Sequence, residues 1–293
     1  MTDPSRCAPP ASARVPIGRS ALLPLVILGS LVLPPSASAE DFVPSAQETR
    51  VWLDFDEFLA PPSEGASLTD RTVLPMMLEG QILVHPHVAI DFSLPWAGYL
   101  SSGSGVLVLG DFTFGVHAVG AFFSGPDAAL AFSSGLSVAL PALPPVGPTG
   151  SNFGGYLGAQ DTLVLETIAF DRYFGELSLS LPFELEGWRT HWFRYRFGFG
   201  PGISFGPAPS PLYGIQSSLG LEVRFPYFLV AGVDGHFTAL WAASSPGLLL
   251  AGGGPYVGYD PPSGHFFARI ALLAGLAEST LFEALLTQVG YKF

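Results

Sequence analysis

Four arginines and a set of carboxylates are the residues with the most chemistry to offer in this chain. Arg194 and Arg196 stand two apart, Arg224 and Arg269 follow, and all four group with Asp91, Asp111, Glu176, Glu184, Glu186, Glu222 and Asp234 on the polar sides of alternating segments. Two guanidinium groups at successive positions of one strand face attract anions unless carboxylates lie within reach. Two readings stay open: a selectivity field for small solutes, or a paired network that fills an interior. Asp234 and His236 share a face, a spacing that lets a carboxylate orient an imidazole and equally makes a structural hydrogen bond. His117 and His191 add imidazoles, but no nucleophile motif accompanies them and the serines are mostly single small positions on the polar faces, so no triad is expected. His85 and His87 flank Pro86 without a third ligand nearby, and the single cysteine, Cys7, precedes an apolar run. Neither a metal site nor a cofactor is therefore expected, and the chain reads as a non-enzyme.

The elements that must hold these residues are constrained by composition. Only 12% of the 293 residues are charged while 48% are hydrophobic, against about 25% charged in soluble domains. A folded surface of that make-up would present large apolar patches to water. Gly 35 and Pro 28 argue against a helix-rich core, and 24 Phe, 9 Tyr and 5 Trp argue against disorder. With 12 basic against 24 acidic residues, nucleic acid is not an expected partner.

The N-terminal stretch sets a compartment. Arg14 and Arg19 precede the apolar run Ala21–Leu33, which ends in Pro34-Pro35-Ser36-Ala37-Ser38-Ala39. A charged start, a short apolar core and small residues at alternate positions predict a signal peptide over 1–39, cleaved after Ala39. A run of thirteen residues closed by a proline pair is short for a membrane helix.

Beyond residue 39 the dominant signal has period two, which in a strand sends successive side chains to opposite faces. In GELSLSLPFELE, Gly175 to Glu186, Leu177, Leu179, Leu181, Phe183 and Leu185 separate completely from the polar set. Residues 87–96, 111–118, 129–140, 189–200, 213–225 and 227–241 sort in the same way. The polar faces are mostly Gly, Ala and Ser with sparse charges, where a soluble sandwich would be dense in Lys, Glu and Asp. Aromatics near segment ends, Trp96, Trp188, Tyr213, Tyr227 and Trp241, suit interfacial girdles. The expected fold is all-β: a transmembrane, antiparallel, up-and-down β-barrel of about 12 strands, with 12 to 14 allowed. Candidate strands number one too many at 50–58, 78–85, 87–97, 105–118, 129–140, 162–170, 175–186, 190–203, 213–225, 227–241, 248–259, 264–276 and 282–293. Evenness is restored by setting aside the acidic 50–58, so that 40–72 becomes a lead-in with room for one strand and 73–293 the barrel. Counting back from Phe293 places the turns at 225–227 and 261–264, and also the long Pro141–Gln160 segment, at the periplasmic end.

Leu285, Val289, Tyr291 and Phe293 share one face of the last segment. This pattern resembles Gram-negative outer-membrane β-barrel proteins, whose last strand ends in an aromatic residue after alternating apolar positions, although Gln288 stands where many members carry glycine. The resemblance implies an outer-membrane location, outer-membrane lipid as a partner, and recognition of Val289, Tyr291 and Phe293 by the barrel assembly machinery. IDFSLPWAG, LSVALPALP and LSLSLPFELEG, from Ile90, Leu136 and Leu177, each read as a strand closed by Leu-Pro. That motif is similar to outer-membrane barrels of aromatic-hydrocarbon and phenol uptake, and proline ending a strand where no donor is needed accounts for it as well. The function expected is a passive channel or uptake porin for small solutes, with Arg194, Arg196, Arg224, Arg269, Glu184, Glu222, Asp234 and His236 lining its lumen. The alternatives are a filled barrel that binds a partner through surface segments such as Pro141–Gln160, and an outer-membrane hydrolase.

Overall fold

Hydrocarbon offers no hydrogen bonds to a strand, and each unsatisfied backbone N–H or C=O there costs several kcal/mol, so strands cross lipid only as a closed ring. The computed structural model of the chain, which describes residues 45–60, 71–101, 104–125, 127–141, 177–189, 192–205, 211–242, 245–261, 264–277 and 280–293, is such a ring. Its strands are β1 (Arg50–Ala60), β2 (Arg71–His85), β3 (Val88–Ser101), β4 in two segments (Ser104–Leu109 and Phe112–Ser124) and β5 (Ala128–Leu140). They continue as β6 in two segments (Leu177–Ser180 and Phe183–Arg189), β7 (Phe193–Phe205), β8 (Leu212–Arg224), β9 (Leu229–Ala242), β10 (Ser245–Tyr259), β11 (Phe266–Ala277) and β12 (Thr280–Lys292). Each pairs antiparallel with its chain neighbours, and β1 pairs with β12 from Arg50↔Lys292 to Ala60↔Glu283, which leaves no free edge.

The pleat sorts the side chains as the alternation predicts. Along β4, Phe112, Phe114 and Val116 are 39%, 41% and 44% exposed, whereas Thr113 between them is 4% exposed. The outward surface is apolar and the inward one is small or polar, the inverse of a soluble protein. Exposed Tyr213, Tyr227 and Trp241 lie at or beside strand ends.

Three expectations change. The segment at 50–58 is not set aside: it lies within β1, a wall of the ring, because Asp54 turns into the lumen where polar groups have partners, while Phe55 faces outward. The candidate at 162–170 and nearly all of Pro141–Gln160 lie outside the described residues. With β1 included, β5 ends and β6 begins at the end opposite Thr49 and Phe293, whose backbones are hydrogen-bonded at 2.9 Å. The long connection therefore leaves from the far end, while the turns β2–β3, β4–β5, β8–β9 and β10–β11 gather near the termini. Finally, only Leu140-Pro141 closes a strand. Pro95 sits inside β3 and Pro182 inside β6, and missing donors coincide with breaks: β4 is interrupted at Gly110–Asp111 opposite Pro95, and β6 at Leu181–Pro182.

Two turns at the termini end need left-handed backbone. Gly264, at φ 82, supplies it between β10 and β11. Between β8 and β9, Tyr227 and Phe228 adopt it without glycine, and Phe225 N–H donates to Leu229 O at 2.8 Å to close the hairpin.

Outward residues halfway along a strand should tolerate no charge. Leu219, 56% exposed near the middle of β8, faces hydrocarbon, so Leu219→Arg is expected to lower the free energy of unfolding from lipid vesicles by about 2–4 kcal/mol. Urea titration of the refolded barrel measures it, and an unchanged midpoint would mean that this face does not meet lipid.

Candidate functional site

Antiparallel register lines up the inward charges in rows that run across the strands. One row holds Trp188, Arg194, Glu222, Gly232 and Tyr256 on β6 to β10; the next holds Glu186, Arg196, Gly220, Asp234 and Gly254. The glycines are what make these rows work. A Cβ on Gly220 would lie 2.6 Å from Asp234 Oδ1, so only glycine lets Arg196 reach across β8 to Asp234, at 3.4 Å to either oxygen. In the same way Tyr256 crosses Gly232 and donates its hydroxyl to Glu222 Oε2 at 3.0 Å.

These contacts join into one network at the termini end. Arg194 pairs with Glu186 and lies 3.7 Å from Glu222 and 3.9 Å from Asp260. Arg224 binds Glu222 at 3.0 Å and also pairs with Asp260. Lys292, the only lysine of the chain, lies 2.5 Å from Asp260 and 3.1 Å from Glu48. Arg269 shares Asp234 with Arg196 and sits 3.5 Å over the Tyr256 ring. Glu186 further accepts from the backbone N–H of Ser45, at 2.7 Å, and from its hydroxyl. Ser45 begins a 3₁₀ turn, Ser45–Gln47, whose far side is held by Gln81: its amide donates to Ser45 O at 2.8 Å and Glu48 O at 2.9 Å. The chain thus passes from β1 across the mouth of the lumen to β6, halfway round the ring.

Arg194, Arg196, Arg224, Arg269, Glu222 and Asp234 are brought together as one inward, paired group. His236 stands within electrostatic reach of Asp234. Glu184 lies one row further from the termini, beside Gly198, and faces a different space. The arginines are not an unopposed anion attractor, since each has a carboxylate partner. Trp188 is not an interfacial girdle residue: it shares the inward face of Glu186 and lies 5.7 Å and 5.3 Å from the guanidinium groups of Arg194 and Arg224. Sequence reasoning missed Tyr256, Asp260, Lys292 and the Ser45–Thr49 segment; for Tyr256 and Asp260 the signal was their even spacing with Gly252, Gly254 and Gly258. Val289, Tyr291 and Phe293 do share the outward face. The Tyr291 and Phe293 rings stack edge-on at 5.0 Å, and Tyr291 donates to Gly264 O at 3.0 Å.

The other half of the lumen is open enough to hold a cavity of about 210 Å³, walled by β1 to β6. Arg50, Trp52, Asp91, Ser93, His117 and Glu184 line it. Asp91 pairs with His117, and Trp52 donates its indole N–H to Glu79 Oε2 at 2.7 Å. Among the described residues no three His, Cys, Asp or Glu side chains converge as a metal site, and His191 lies outside them.

No protein-family model matches the sequence, and no curated protein matches it. Among solved structures the chain is similar to an outer membrane channel from Pseudomonas putida F1, at 11% identity and TM-score 0.54, over 88% of this chain and 100% of that one. A loop deletion mutant of OmpT, an outer membrane protein of Vibrio cholerae, is similar at 9% identity and TM-score 0.41, over 84% and 97%. The CymD monoaromatic hydrocarbon channel follows at 13% identity and TM-score 0.38, over 84% and 89%. The first of these likenesses supports the fold: this chain has the fold of outer-membrane β-barrels.

Two consequences can be measured. Gly220→Val should force Arg196 from Asp234 and lower the unfolding free energy by about 1–3 kcal/mol, whereas Gly235→Ala, whose Cβ would meet nothing nearer than 3.9 Å, should change little; equal effects in urea titrations would dismiss the bridging role of Gly220. Acid should loosen the network. Burial raises the pKa of Asp260 in the β10–β11 turn, but Arg224 and Lys292 outweigh it and hold the carboxyl below its ordinary 3.8. A depressed folded pKa stabilises the fold above that ordinary value, and the contribution vanishes as pH falls through the folded one. Unfolding at stepped pH should therefore show a loss below about pH 3.8 that is smaller in Asp260→Asn, a variant already weaker at pH 7.

Proposed function

We propose that this chain is an outer-membrane channel of narrow bore for small polar solutes, exported through the 1–39 signal peptide and set with its termini toward the periplasm. The observation that carries the reading is the division of the lumen. Paired charges fill the side bounded by β6 to β12, while polar and charged side chains on β1 to β6 enclose a cavity. A polar cavity beside a half filled with paired charge is the arrangement a narrow pathway for small polar solutes needs. The likeness to the Pseudomonas putida channel supports the same reading. In this arrangement the network is the fixed wall of the constriction, since two buried charges hold each other in place more rigidly than solvated ones. The Ser45–Thr49 segment narrows the periplasmic mouth. The barrel assembly machinery reads the outward Val289, Tyr291 and Phe293 face, and outer-membrane lipid covers the apolar belt.

One observation favours a second reading, a filled barrel without conduction. Arg194, Glu186 and Lys292 are all buried, and Ser45 is bound across the mouth. Conductance of residues 40–293 refolded into a planar bilayer separates the two. Discrete ion-selective steps, which change when Arg194 and Arg196 are replaced by Ala, are expected of the channel. Silence from a barrel shown by circular dichroism to be folded and inserted would overturn it in favour of the filled form.

A further inference from the structure

The cavity on the β1–β6 side is not neutral. Glu79, Asp91 and Glu184 contribute three carboxylates, Arg50 one guanidinium, and His117 is engaged with Asp91. Glu184 lies on the same cavity wall as Arg50, with Glu186 and the Arg50, Arg196 and Arg194 guanidinium groups within electrostatic reach. Ser93, 4% exposed and on the cavity wall, has a buried hydroxyl without a hydrogen-bond partner among the described residues. A buried hydroxyl left unpaired is costly, so one carried by a residue of the cavity wall marks a place for a polar ligand. The Trp52 ring already holds one cation, the Arg50 guanidinium at 4.8 Å from its centre.

These features select a ligand class. An anion would face three carboxylates against the single guanidinium of Arg50 in a low-dielectric space, whereas a cation is attracted by that excess of negative charge. The carboxylates stand on different strands, β2, β3 and β6, and do not converge on a point as metal ligands must. A cation that spans them has to be extended and to carry several N–H donors. We infer that the β1–β6 cavity is a binding site for a small aliphatic amine, held by Glu184 and Asp91 with Ser93 accepting a further N–H. The inference deepens the channel reading by naming its solute class, but binding does not depend on conduction.

Isothermal titration of the refolded full barrel in detergent with 1,4-diaminobutane tests it, with butanoate and Mg²⁺ as the anionic and metal comparisons. Saturable binding of one diamine per barrel is expected, with none of butanoate. Glu184→Gln, which keeps the shape and removes the charge, should weaken it about tenfold or more, and Ser93→Ala by a smaller factor. Absence of saturable binding, equal binding of butanoate, displacement of the diamine by equimolar Mg²⁺, or full affinity in Glu184→Gln would each overturn the site. If Glu184→Gln fails to refold by circular dichroism, unchanged affinity in Ser93→Ala does so. A silent barrel that binds diamine removes the channel and leaves the site; a conducting barrel that binds none removes the site and leaves the channel.

Discussion

The backbone's need for hydrogen-bond partners in a medium without water governs this molecule. A strand in hydrocarbon is acceptable only between two others, so β1 must find β12 and the ring must close. Closure turns the two-residue pleat into two environments, lipid outside and lumen inside. Every later feature follows from that partition. Phe114 and Leu219 can face outward because no water is there to avoid, and Arg194, Glu222 and Asp234 must turn inward because nothing outside could hold them.

Once turned inward, the charges must find one another, because an isolated buried ion is far more costly than a paired one. In a barrel, the pairing depends on register. Arg196 and Asp234 sit on strands that are not neighbours, and they meet only because Gly220 lies between them in the same row. Glu222 and Tyr256 meet over Gly232 on the same principle. Small residues in the lumen are thus seats for long side chains from the flanking strands. Buried ion pairs contribute little net stability compared with apolar packing. Their gain here is geometric: a wall of fixed charge that stands beside the cavity on the β1–β6 side of the lumen.

Much of this architecture was legible in the chain. The alternation of Leu177, Leu179, Phe183 and Leu185 against Ser178, Ser180, Glu184 and Glu186 already sorts lipid from lumen, and it does so because the pleat is local geometry. Arg194 and Arg196 were recognisable as inward for the same reason. The strand at 50–60 was harder to read because its acidic residues resemble a solvated lead-in until β12 is beside it. Trp188 misled because aromatics near strand ends usually mark the interface, yet parity with Glu186 sends it under Arg194 and Arg224. The role of Lys292 was hidden for a different cause: its partners, Glu48 and Asp260, are 244 and 32 positions away in the chain.

The sequence by itself determined which residues face lipid and which face the lumen, and with them the all-β class, since both depend only on the order of neighbours along one strand. Only the tertiary structure decided which charges meet, that the Ser45–Thr49 segment crosses the mouth, and that Glu184 faces a cavity while Glu186, two residues on, is bound within the network. Those outcomes depend on the stagger between strands and on closure of the ring. Such quantities are fixed by all the strands together, and no single segment carries them.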